Sequence, residues 1–124
     1  MVQTVTRRSV EINFEIEKGS TFRHVFTWKY TTAPNNPIDL TGCTARMQIR
    51  ETIADIIVKQ ELTTENGGIT LGGASGTIDL YISDTDSTAW DFTAGVYGLE
   101  VIFPNGDVRR LARGKIKAFD EATR

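Results

Sequence analysis

From residue 9 to residue 17 the chain alternates: Val10, Ile12, Phe14 and Ile16 fall on one side, and Glu11, Asn13, Glu15 and Glu17 on the other. Period-2 alternation puts one side of an extended segment against a core, so this is a first strand. Lys18 and Gly19 turn the chain, and Phe22, His24, Phe26, Trp28 and Tyr30 then share a side opposite Arg23, Thr27 and Lys29, with Val25 breaking the polar side. Two prolines and two asparagines between Thr31 and Asp39 read as a loop that crosses between layers. A third strand follows from Thr44 to Arg50, with Ala45, Met47 and Ile49 inward and Thr44, Arg46, Gln48 and Arg50 outward. The stretch from Ile53 to Thr63 is ambiguous, but the alternation of Ile56, Val58, Gln60 and Leu62 favours a strand that pairs with the hairpin after it.

That hairpin, Thr64 to Ser83, is the pivot of the chain. Asn66, Gly67 and Gly68 form one corner, Gly72 to Gly76 a second, and Ile78, Leu80 and Ile82 alternate beyond it. From Asp84 to Trp90 capping residues precede one large apolar anchor, which predicts a helical turn that plugs an end of the domain. Tyr97, Leu99, Val101 and Phe103 alternate in the next strand. Pro104 to Asp107 is a turn, and Val108 to Phe119 is the last strand. The pattern therefore predicts an all-β fold: an immunoglobulin-like β-sandwich of about eight short antiparallel strands with one short helical turn. Residues 1–8 read as an N-terminal arm, 9–119 as the sandwich and 120–124 as a C-terminal tail.

Composition changes this picture little. The 124 residues are enough for one domain with its own core, and 40% hydrophobic with 24% charged residues is the balance of a globular protein. No apolar run reaches the roughly 18 residues of a membrane span, and Glu11, Glu15 and Glu17 interrupt the place where an export signal needs its apolar region. The single cysteine, Cys43, makes no internal disulfide and reads as a half-buried structural thiol. Net charge is −2 with both signs dispersed, so the whole chain exerts no strong field on nucleic acid or an acidic membrane.

The most suggestive charge feature is the basic run of the last strand. Simple alternation puts Arg109, Arg113, Lys115 and Lys117 on one side and Arg110 on the other with Ala112, Gly114, Ile116 and Ala118. A cationic strip suits a phosphate backbone, but the strip lacks aromatic interleaving, and an edge strand or a protein contact is the better reading. Asp84, Asp86 and Asp91 begin with the alternate-oxygen spacing of a calcium loop, yet Ala89 and Gly95 stand where that loop needs glycine and glutamate, so a helix cap is favoured. His24 is the only histidine, and no catalytic constellation, cofactor motif or phosphate loop is present.

Trp28-Lys29-Tyr30, the DLTGCTARMQIR stretch from Asp39 to Arg50, the hairpin and the closing YGLEVIFPNGDVRRLARG together resemble small virion proteins of tailed bacteriophages. Over about residues 10–119 the chain is similar to the β-sandwich family that includes collar proteins for attaching long tail fibres, and more distantly to the N-terminal domains of baseplate upper proteins. Cys43 departs from the aromatic residue expected after the glycine. The resemblance implies a non-enzymatic module of the virion, assembled in the host cytoplasm. It implies a ring or other multi-copy assembly whose partners are the tail or baseplate hub and the tail fibres, with no cofactor. Arg7, Arg8, Arg109, Arg113 and Lys115 are then the expected subunit or fibre contacts. Two other readings remain open at this level: a head decoration or neck protein, and a carbohydrate-binding module using Trp90, Tyr81 and Tyr97 as a stacking platform.

Overall fold

A computed structural model describes residues 10–120. The strands are β1 (Val10–Glu11), β2 (Phe14–Glu17), β3 (Phe22–Thr27), β4 (Thr44–Arg50), β5 (Gln60–Thr63), β6 (Ile69–Leu71), β7 (Thr77–Ile82), β8 (Ala94–Ile102) and β9 (Val108–Phe119). A 3-10 turn (Gly73–Ser75) lies between β6 and β7, and a short helix, α1 (Asp84–Thr88), between β7 and β8. They form two sheets. In the six-stranded sheet the order is β1-β9-β8-β4-β5 with β2 also on β9, and in the three-stranded sheet it is β3-β7-β6.

This order is the immunoglobulin-like one. Strands β3, β7 and β6 take the places of B, E and D, β4, β8 and β9 those of C, F and G, and β5 lies beside β4 as the extra C′ strand of variable-type domains does. The core lies between the sheets, where Phe26, Ile78, Leu80 and Ile82 of one face Met47, Ile49, Leu99, Val101 and Ile116 of the other. Trp90 is buried and stacks on Phe92 with ring centroids 4.9 Å apart, so the predicted plug is in place.

Three expectations need correction. The first strand is neither continuous nor antiparallel: β1 and β2 both run parallel to β9. Between them Ile12 N–H donates to the Arg113 carbonyl at 2.9 Å, and the Asn13 side-chain oxygen accepts from Lys115 N–H at 2.9 Å, so a side chain replaces a backbone acceptor. The buried Tyr97 hydroxyl donates to the Ile12 carbonyl at 2.7 Å. Alternation reports which side a residue faces and is blind to the direction of the partner strand.

Second, β5 begins only at Gln60 and pairs with β4, not with the hairpin. Its link to β6 crosses between sheets at a turn held by Asn66, whose side-chain oxygen accepts from Thr63 N–H at 2.9 Å and Gly68 N–H at 2.8 Å. Residues 51–59 are a loop, and its isoleucines point outward. Third, Tyr30 lies beyond β3 and is partly exposed. The loop that follows does cross between layers, pinned by Trp28 N–H to Gly76 O at 2.8 Å and Leu40 N–H to Gly73 O at 3.0 Å. The arm at 1–8, with Arg7 and Arg8, and residues 121–124 of the tail lie outside the described residues. Asp120, the first residue of that tail, forms an ion pair with Lys18 at 2.8 Å.

Candidate protein-contact site

The outer side of the six-stranded sheet collects most of the basic residues of β9, though not the set that simple alternation predicts. Leu99 lies opposite Ala112, but Glu100 lies opposite Arg110, so Leu111 is an extra residue that β8 does not match. Such a bulge reverses the phase of the strand on its far side. Arg110 therefore joins Arg113, Lys115 and Lys117 on the outer side, whereas Arg109 lies opposite the inward-facing Val101. Arg109 lines a hollow of about 420 Å³ at the end of the sandwich with Tyr30, Ile38, Asp39 and Phe103. The expected trio of Arg109, Arg113 and Lys115 is thus split. Two adjacent buried side chains, Leu111 and Ala112, were the signal for the bulge.

Across the outer side, Arg113 and Gln48 flank Gly98, Lys115 and Arg50 flank Val96, and Arg110 and Arg46 flank Glu100. A methyl group on Gly98 would meet no heavy atom within 4 Å. The missing side chain leaves a shallow groove of about 330 Å³, walled by Arg46, Gln48, Arg50 and Ile53 on one flank and by Arg110 and Arg113 on the other. Arg46 is neutralised by Glu100 at 2.6 Å. Arg50 spends its donors on neutral oxygens, the Asp55 carbonyl and the Gln48 side chain, each at 2.8 Å, and keeps its charge. Among the described residues, the side chains of Arg110 and Arg113 make no hydrogen bond and no ion pair.

Next to the groove the 51–59 loop is built to a fixed shape. Thr52 and Asp55 close a turn by reciprocal backbone and side-chain bonds, and Lys59 N–H returns to the Ile49 carbonyl at 2.7 Å. Lys59 Nζ bridges Asp91 at 3.0 Å and Glu51 at 3.2 Å. Hydrogen bonds to Asp91 and then Glu51 raise the lysine's pKa, and the same ammonium lowers that of Asp91. On this scaffold Ile53, Ile56 and Ile57 are 85%, 90% and 65% exposed.

The other candidate residues have structural roles. Ser83 Oγ accepts from Asp86 N–H at 3.1 Å, so Ser83 caps α1, and Asp84 and Asp86 lie in the helix's first turn. Among the described residues no three histidine, cysteine, aspartate or glutamate side chains gather as a metal set. His24 packs edge-on between Phe14 and Phe26, at 4.9 and 4.7 Å, and burial lowers its pKa. Burial raises the Cys43 thiol's pKa, which disfavours the thiolate. The aromatic platform does not form. Trp90 and Tyr97 are buried in the core, and Tyr81 lies beneath the Arg23 guanidinium at 4.4 Å. Burial also pushes the Tyr97 hydroxyl's pKa well above the usual phenol range.

No family model matches the chain, and no curated protein matches it. Among solved structures, extracellular domains 3–5 of Drosophila OTK are similar at a TM-score of 0.35 and 12% identity. That match covers 96% of this chain, which spans only 35% of the other. The immunoglobulin-like assignment rests on strand order. No helix among the described residues is long and apolar enough to cross a membrane.

Proposed function

We propose that the protein is a non-enzymatic structural module of a tailed-phage virion, a multi-copy collar or adaptor at the tail or baseplate to which tail fibres attach. The resemblance to virion β-sandwich proteins is the source of this reading. The observation that carries it furthest is the outer sheet side, where Arg50, Arg110 and Arg113, without an ion pair among the described residues, adjoin three solvent-facing isoleucines on a fixed loop. Ordering apolar side chains in water gains nothing for the isolated chain, and burying them against a neighbour does. Glu11, Glu15, Glu61 and Glu100 are interspersed with the basic residues, a mixed pattern that suits protein better than a uniformly anionic phosphate backbone.

Location on the particle tests this reading. A gold-labelled antibody against the purified protein, imaged on intact phage from the source strain, is expected at the fibre-bearing end of the tail. Label on the head or neck would replace the collar by a head decoration or neck role. Particles without label would overturn the virion reading.

A further inference from the structure

Gly98 has no backbone reason to be glycine. It lies in the middle of β8, and the space above it is open. A glycine in a strand interior costs roughly 0.5–1 kcal/mol relative to alanine, and such positions often mark where another backbone or a ligand comes close. Here the opening is bounded by Arg110 and Arg113 on one flank and Arg50 on the other, none of them in an ion pair with a carboxylate among the described residues. Ile53 closes one wall, and Ile56 and Ile57 stand on the same loop.

We infer that this groove receives an extended, acidic segment of another protein, laid across Gly98 with its carboxylates on Arg110, Arg113 and Arg50 and its apolar residues against the isoleucine loop. Guanidinium forks match carboxylates in paired hydrogen bonds, and a glycine floor lets a backbone approach the sheet where any side chain would hold it off. Charge complementarity selects the occupant. The groove is lined by four arginines, of which Arg46 alone is paired with the lining carboxylate Glu100, in a chain whose net charge is −2. The site and its chemistry stand without the virion reading and take from it only the idea that the partner is a protein.

The test uses the full chain and a fluorescently labelled peptide that alternates glutamate with leucine, beside a counterpart with glutamine in place of glutamate. The glutamate peptide is expected to bind with an affinity that falls as salt rises, and the glutamine peptide to bind at least about tenfold more weakly. Arg110→Glu with Arg113→Glu should abolish binding. Gly98→Val should do the same for a steric reason, since its Cβ meets no heavy atom within 4 Å and its methyls stand in the groove, and far-UV circular dichroism checks that both variants remain folded. Equal binding of the two peptides would overturn the inference, as would unchanged binding by folded Gly98→Val. Tighter binding of oligothymidylate than of the peptide would overturn it in favour of nucleic acid, and self-association of the wild type that Gly98→Val abolishes would overturn it in favour of a second copy. These outcomes are read in solution and leave the location on the particle to be settled separately.

Discussion

At the scale of single residues, two polar side chains join the backbones of distant segments. Tyr97 reaches the Ile12 carbonyl, and Ser87 accepts from Gly19 N–H at 3.0 Å while donating to Ser20 O at 3.1 Å, tying α1 to the β2–β3 turn. The sequence marks Tyr97 as inward-facing but carries no sign of its partner, because hydrogen bonds over such separations exist only once the sheets are assembled. His24 is the residue with a legible pH dependence. Burial disfavours its charged form, so its folded pKa lies below the unfolded value of about 6.5. In that window the unfolded chain binds more protons, and stability therefore rises with pH and falls on acidification below about 6.5. Replacing His24 by leucine should flatten the dependence of the thermal midpoint between about pH 7 and pH 5. An unchanged slope would assign that dependence to other groups.

At the scale of elements, two glycines on adjacent strands make a controlled contrast. Gly114 of β9 lies directly opposite Tyr97, and a Cβ there would strike the Ile12 carbonyl in the break between β1 and β2. Gly98, one position along on β8, faces open space. Gly114→Ala is expected to destabilise by about 1–3 kcal/mol through forced displacement of the parallel strands. Gly98→Ala should be neutral or stabilising by up to roughly 1 kcal/mol. Urea denaturation with unchanged slopes would measure both, and equal effects would refute the asymmetry. The alternation of β4, β7 and β8 was readable because each strand is buried on one side only. That of β9 holds from Ala112 onward and fails for Arg109 and Arg110 on the other side of Leu111, because a bulge inserts a residue without leaving a turn signal in its composition. Ile56 and Val58 mimicked strand alternation in a loop whose shape is set by Arg50, Asp55 and Lys59.

At the scale of the molecule, the core and the proposed contact lie on different sides of the six-stranded sheet. The core is sealed between the sheets, so Ile56→Asp with Ile57→Asp should leave the unfolding free energy within about 0.5 kcal/mol of wild type while weakening binding of the acidic peptide. A large loss of stability would instead mean that the loop packs on its own domain. The fold class, most strand positions, the helical plug and the crossing loop were determined by the sequence alone, because they follow from local periodicity, turn chemistry and caps. Four features were decided by the tertiary structure: the parallel pairing of the first strands, the regrouping of the arginines, the groove over Gly98 and the outward isoleucines. The fourth depends on how Arg50, Asp55 and Lys59 hold the loop against the sheet, and the first three on which strands become neighbours and in what register. That is a property of the packed sheets, and no stretch of local sequence encodes it.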